Sequence, residues 1–332
     1  MVIKKVKLNE YITCLTSARL HRGTDSSPRV GKSLMRLGHQ VFLSSLKTGP
    51  LFPEFIKSGV NLFDHQKNTA DDYDLIIANT VISVPPSLSF SKSSKKVLAW
   101  IHESEYFFNT IGKSPDNFRL DEVNFVAFPS QFQIVEFTKW MPSALKVQLK
   151  NCVQIPRDIA INNKVPYLVC SGEWETRKAQ DQLVRHLGNL EDFPEIHFVG
   201  AIKPLHLSSE KFVFTGHLTP LEAKNRIASS RGVISCAASE TQNLVAIEAM
   251  QLGVPVMLSD IPAHRELKKL IPDIVLFDSS STESFKSNFK SLLNQWNDSA
   301  ARMRLKEAAI HWFGIVEFDK NVSNLINLIN ES

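Results

Sequence analysis

The sequence predicts an α/β protein of two Rossmann-like, doubly wound domains that face a cleft. Three observations predict it. Short apolar runs of strand length alternate with amphipathic helical stretches along the 332 residues, the pattern of a parallel sheet covered by helices. The alternation lapses between Val153 and Pro166, a segment with Pro156, Pro166 and the polar pair Asn162-Asn163 and no helical period. It then starts again, so each series has about 150 residues, an ordinary domain size.

The elements follow in order. In the first series, strands are expected at Tyr11–Leu15, Gln40–Ser44, Leu75–Ala78, Lys96–Ile101 and Phe125–Phe128. A helix over Arg29–Leu37 ends at Gly38, and Gly38-His39 leads into the second strand. Pro85-Pro86 with Ser87–Ser94 reads as a breaker-rich loop. The second series opens at Tyr167-Leu168-Val169-Cys170. Further strands are expected at Ile196–Val199, Val213-Phe214, Gly232–Ser235 and Pro255–Leu258. A helix fits Asn243–Leu252, stopped by Gly253, and Phe318–Asn330 is amphipathic. Ligands of such sheets lie outside the carboxyl ends of the strands.

Composition narrows the function classes. With 43% hydrophobic and 22% charged residues, the chain is of globular type. No apolar run approaches the ~18 residues of a membrane-spanning helix. Met1–Leu8 alternates lysines with apolar residues and does not read as a signal peptide. Cys14, Cys152, Cys170 and Cys236 are scattered without a C-x-x-C pair, which excludes a zinc ribbon and a disulfide framework. The cytoplasm is the expected compartment. Net charge is +4, divided as +6 over residues 1–155 and −2 over residues 156–332. The basic first half suits an anionic partner or an anionic membrane surface; a solvated charged face has the same composition.

The most informative stretch is Ser239-Glu240-Thr241-Gln242-Asn243-Leu244-Val245-Ala246-Ile247-Glu248-Ala249-Met250. It follows the strand Gly232–Ser235, so Glu240 falls in a strand-to-helix loop and Glu248 on the helix after it. The helix start near Gln242–Leu244 presents unpaired backbone N–H groups, a seat for phosphate. A carboxylate beside it can accept hydrogen bonds from sugar hydroxyls.

These residues resemble the retaining glycosyltransferases of family 4, which have the GT-B fold. Glu240 and Glu248 match that family's E-x7-E motif, and the likeness extends through Gly253-Val254-Pro255-Val256 and Ser259–Glu266. The resemblance implies that Glu248 holds the ribose hydroxyls of a nucleotide and Glu240 the transferred sugar. Backbone groups at Asn243, Leu244 and Val245 would meet the pyrophosphate. Ser171-Gly172-Glu173-Trp174-Glu175-Thr176-Arg177-Lys178-Ala179 resembles the family's phosphate-binding turn, with Lys178 as the diphosphate lysine and Arg177 beside it. The family's arginine just after the strand is missing, its place falling within Ser171–Glu173. Trp100-Ile101-His102-Glu103 puts His102 where relatives contact sugar or acceptor. Phe128-Pro129-Ser130 resembles the family's strand ending in serine, and Gly216-His217-Leu218 the turn that reads the base. The first loop, Thr16–Pro28, departs most. Its Arg19, Arg22 and Gly23 form a candidate phosphate or acceptor loop, with Arg19 or Arg22 replacing the missing arginine.

The resemblance therefore implies transfer with retention from a UDP- or GDP-sugar to a hydroxyl acceptor: a glycan, a lipid-linked sugar or a nucleic acid. Glu240, His102 and Lys178 would be the catalytic set, with no cofactor beyond the donor and no essential metal. Expected domains are residues 1–155 for the acceptor, 166–314 for the donor, and a tail helix over 315–332 crossing back to the first. Peripheral contact with the inner membrane face is compatible with the charge. Two alternatives stay open. One is a nucleotide-sugar-binding protein without catalysis. The other is a P-loop phosphotransferase, because Ser26–Ser33 nearly spells the phosphate loop, though with Ser26 for its first glycine and Pro28 inside it. No H-E-x-x-H or G-x-S-x-G occurs.

Overall fold

The computed structural model describes residues 10–15, 27–45, 57, 59–63, 73–91, 96–160, 166–202, 204, 207 and 209–332. The chain divides into two compact units, residues 1–152 with 315–332, and residues 153–314.

The described strands of the first unit are β1 (Glu10–Leu15), β2 (Gln40–Ser45), β3 (Asn61–Leu62), β4 (Leu75–Asn79), β5 (Lys96–Trp100), β6 (Phe125–Phe128) and β7 (Leu145–Gln148). They form a parallel sheet in the order β3-β2-β1-β4-β5-β6-β7. Successive side chains of a strand point to opposite faces, and here both faces are covered. Leu75, Ile77, Leu98 and Trp100 enter one core with Val30 and Leu34 of the Ser27–Arg36 helix. Ile76, Ala78, Val97 and Ala99 enter the other, with Phe108, Phe128 and Phe137. That explains why these strands read as unbroken apolar runs. The Ile315–Glu331 helix belongs to this unit. Phe318, Val322, Leu325 and Ile329 complete the first core, Phe318 stacks on Trp100 at 6.2 Å between centroids, and Asp319 pairs with Arg36 at 2.6 Å.

The second unit holds β8 (Tyr167–Ser171), β9 (Glu195–Val199), β10 (Phe212–Gly216), β11 (Gly232–Ser235), β12 (Val256–Ser259) and β13 (Val275–Phe277), in the parallel order β10-β9-β8-β11-β12-β13. Again alternate residues divide between two cores: Tyr167 and Val169 go to one, Leu168 and Cys170 to the other. In each unit the order reverses beside the first strand, between β1 and β4 and between β8 and β11. A doubly wound sheet offers its ligand crevice at that reversal, outside the carboxyl ends.

The predicted fold class is the one observed, with differences in detail. Pro85 and Pro86 do not break the chain into a loop; they sit in the first turn of a helix, Val84–Ser91. A first-turn N–H has no intrahelical acceptor, so proline removes nothing there. Strands β3, β7 and β13 were not expected. All three are sheet edges, and β3 and β13 are only two and three residues long.

Candidate functional site

In the second unit, the loops after β8 and β11 flank the reversal of strand order. After β8 the chain turns at Gly172, whose φ of 132° is open to glycine, and enters a short 3-10 turn, Thr176–Lys178. Lys178 folds back so that its aliphatic stem crosses Gly172; a Cβ there would meet Lys178 Cε at 3.3 Å. Ala179 then takes the left-handed conformation, φ 51°, before the Gln180–Leu187 helix.

This path delivers two cations to one acid from the β11 loop. Lys178 Nζ donates to Glu240 Oε1, and Arg177 Nη1 lies 3.3 Å from Glu240 Oε2. Arg177 also donates to Ser239 O at 3.2 Å and to Glu175 Oε1 at 2.7 Å, while its carbonyl accepts from Ala238 N at 2.8 Å. The Glu240 side chain is 9% exposed. Burial pushes its carboxyl up, but Lys178 and Arg177 outweigh that and hold it below the usual carboxylate value.

Three residues on, Asn243 caps the Leu244–Gln251 helix, its Oδ1 accepting from Ala246 N at 3.2 Å. The Asn243 amide is held in turn. Its Nδ2 donates to His264 Nε2 at 3.1 Å, and His264 Nδ1 donates to Ser259 O at 2.7 Å. His264 is fully buried, and burial lowers its proton affinity, which favours the neutral ring; the two hydrogen bonds set its tautomer, with Nδ1 protonated and Nε2 accepting. With the cap serving Ala246, the N–H groups of Leu244 and Val245 have no intrahelical acceptor. They lie on the same loop-helix junction as Glu240. Glu248, on the next turns of the helix, pairs with Lys224 Nζ at 2.9 Å.

Gly216 ends β10 with φ 62° at a register shift, its N–H donating to Ala201 O at 3.1 Å. His217 and the half-buried Leu218 follow. Leu218 also lines a cavity of about 550 Å³ with Tyr167, His197, Glu222 and Arg226. The cluster of Arg177, Lys178 and Glu240 does not line that cavity.

In the first unit, His102 follows β5 beside β4. Its Nε2 lies 3.0 Å from Asn79 Oδ1 and its ring packs on Trp100 at 4.6 Å. With an amide oxygen as acceptor, Nε2 carries the proton and Nδ1 keeps a lone pair. Burial pushes the imidazole down to about 3, so it stays neutral. Glu103 Oε2 accepts from Val81 N at 3.2 Å and His102 N at 3.1 Å, while burial pushes its carboxyl up to about 7. The neighbouring Thr80 has a φ of 115°, a strained value for a residue with a Cβ. Ser130 Oγ donates to Gln133 Oε1 at 2.8 Å, and Gln133 Nε2 donates to Glu103 O at 2.9 Å.

The structure thus brings together Glu240, Lys178, Arg177 and the Asn243–Val245 helix start. Arg19, Arg22 and Gly23 lie outside the described residues. Lys32, the lysine of the near phosphate loop, lies on the exposed side of the Ser27–Arg36 helix. Sequence reasoning missed two residues, Lys224 and His264. Lys224 carries a legible signal: a lysine among Ala223, Ile227 and Ala228, on the apolar side of a helix. His264 falls within the Ser259–Glu266 stretch of the resemblance, but its role carries no local signal, because its partner Asn243 lies on another element. Among the described residues, no group of three or more His, Cys, Asp or Glu side chains is arranged to hold a metal ion.

Comparison with known proteins supplies a frame for this geometry. Residues 165–295 match the family described as glycosyl transferases group 1. Comparison with curated proteins gives no match. Among solved structures, the chain resembles sucrose-phosphate synthase from Thermosynechococcus elongatus with a TM-score of 0.75 and 15% identity, over 98% of this chain and 100% of that one. It resembles Anabaena HepE, solved in complex with UDP and glucose, with a TM-score of 0.76 and 14% identity, over 96% and 99%. A glycosyltransferase from Rickettsia africae ESF-5 gives 0.72 and 14%, over 98% and 100%. At such identities the likeness is one of fold: two Rossmann-like parallel-sheet domains, the GT-B class.

Proposed function

We propose that this chain is a retaining glycosyltransferase, moving a sugar from a nucleoside diphosphate sugar, with UDP or GDP as leaving group, to a hydroxyl acceptor. The observation that carries the reading is the cluster of Lys178, Arg177 and Glu240 beside the Asn243-capped helix. It lies at the strand-order reversal of the unit, within the stretch that matches the group 1 glycosyl transferases. A diphosphate needs positive charge and N–H donors at one point; two cations and a helix start supply both. They also stabilise the charge that grows on the leaving diphosphate.

In this reading Leu244 and Val245 N–H groups and Lys178 hold the diphosphate. Arg177, on the same turn, takes the part of the arginine absent after β8. Glu240, released from one of its cations as phosphate arrives, orients the sugar. Glu248 accepts the ribose hydroxyls, and the Gly216–Leu218 turn meets the base. The acceptor hydroxyl attacks the face the nucleotide leaves, with a leaving phosphate oxygen taking its proton, which gives retention. His102, neutral and with Nδ1 as acceptor, contacts the sugar or the acceptor. The acceptor belongs to the first unit, whose basic charge suits a glycan, a lipid-linked sugar at an anionic membrane surface, or a nucleic acid. No helix among the described residues is long and apolar enough to cross a membrane.

Thermal unfolding against UDP, GDP, ADP, dTDP and Mg–ATP tests the donor site. A ligand at 100 times its dissociation constant adds about 2.7 kcal/mol. A shift with one diphosphate, lost in Lys178→Ala, is the expected result; a shift with none, or with Mg–ATP alone, overturns the reading. Release of that diphosphate from its sugar on adding acceptor separates transfer from binding alone, and the anomeric configuration of the product tests retention.

A further inference from the structure

The Pro220–Ala228 helix leaves the Gly216–Leu218 turn and is fixed at its start by a capping box. Thr219 N donates to Glu222 Oε2 at 2.8 Å, and Glu222 N donates to Thr219 Oγ1 at 3.3 Å. Its inner side carries Ile227 and Ala228 into the core, and Lys224 lies on that same side. A lysine there takes its charge out of water and needs a partner. The partner is Glu248 Oε1 at 2.9 Å. The Lys224 side chain is 9% exposed and that of Glu248 18%. This is a shielded pair, unlike the solvated pairs of the surface, which contribute little.

We propose that Lys224 is a positioning residue that aims the Glu248 carboxylate at a nucleotide ribose and so sets the donor site's preference for ribonucleotides over deoxyribonucleotides. The inference rests on the donor-site reading above. Held on Lys224 through Oε1, the carboxylate is restrained on its helix, and its 18% exposure leaves it accessible to a ligand. A bidentate grip on vicinal hydroxyls needs such restraint. The helix that bears Lys224 starts at the turn assigned to the base, so the pair also ties the base-facing segment to the ribose-facing acid. Lys224 itself touches no ligand; its effect passes through Glu248.

The test compares dissociation constants of the full chain for UDP and GDP with those for their 2′-deoxy and 3′-deoxy counterparts, by titration calorimetry. The wild type is expected to favour the ribonucleotide about tenfold, the scale of one hydrogen bond to a charged group. In Lys224→Met the preference falls below about threefold, and Lys224→Arg keeps most of it. Lys224→Gln, polar but neutral, gives the same loss and serves if the methionine variant does not fold. A Lys224→Met protein with a lowered melting temperature but an intact preference overturns the inference and leaves Lys224 a structural tie. Equal wild-type binding of ribo and deoxy forms removes Glu248 from the ribose and overturns the inference with it. Absence of binding to either diphosphate overturns the donor site as a whole.

Discussion

The neighbours His102 and Glu103 make a sharp pH prediction, because burial moves them in opposite directions. Glu103 is pushed from 4.5 up to about 7, and His102 from 6.5 down to about 3. The perturbation is Glu103→Gln, which keeps an oxygen for the N–H groups of Val81 and His102 but cannot titrate. A carboxyl whose folded value is raised contributes stability that is fully present below 4.5 and lost as pH rises through about 7. One pH unit at full slope is 1.36 kcal/mol, so the interval amounts to about 3 kcal/mol, reduced to about 2 because Glu103 is only half-buried in solvent terms. His102 has the reverse sign: its stabilisation is present above 6.5 and lost as pH falls toward 3. Between pH 4.5 and 6.5 the two slopes oppose, and the wild-type profile from this pair is shallower than that of His102 alone. In Glu103→Gln the histidine slope stands alone, and stability falls on acidification from pH 6.5. Urea unfolding of both proteins at half-unit steps from pH 4.5 to 7.5 measures the difference. The wild type's advantage over the glutamine variant is expected to shrink by about 2 kcal/mol across that range. A pH-independent difference, or one that grows with pH, refutes the reasoning.

Three further outcomes follow from particular residues. Ala179 holds a left-handed conformation that disfavours a Cβ, so Ala179→Gly is expected to stabilise the second unit by about 0.5–1 kcal/mol and raise its melting temperature about 2–4 °C; calorimetry showing a loss contradicts this. Phe318 is 3% exposed against Trp100. Phe318→Ala should cost about 3–5 kcal/mol and lower the transition of the first unit, leaving that of the second in place. Asn243→Ala removes the cap on Ala246 N and leaves His264 Nε2 without its donor. The loss is expected at about 2 kcal/mol in urea unfolding, and a value near zero would mean that the helix start is held by other contacts.

The central strands were legible because their information is local. Leu75–Asn79, Lys96–Trp100 and Tyr167–Ser171 are buried on both faces, so each reads as an apolar run whatever its neighbours are. The edge strands were not legible. Leu145-Lys146-Val147-Gln148 is half-buried and half polar, and Asn61-Leu62 is two residues long; only a partner strand makes either of them a strand. Pro85-Pro86 misled for a related reason, since a proline breaks a helix interior but starts a helix well.

The site divides along the same line. By itself the sequence determined that Glu240 and Lys178 each occupy a loop after a strand, and that a helix starts near Asn243, because spacing along the chain fixes those facts; that Asn243 stands outside the helix as its cap came from the structure. Only the tertiary structure decided which of them meet. Lys178 and Glu240 are 62 residues apart and touch because β8 and β11 are neighbours in the sheet. Glu248 faces Lys224 because two helices cover the same core, and His264 orients Asn243 from a third element. Strand order and helix packing are settled by the burial of whole faces summed over the domain. No short stretch of sequence carries that sum.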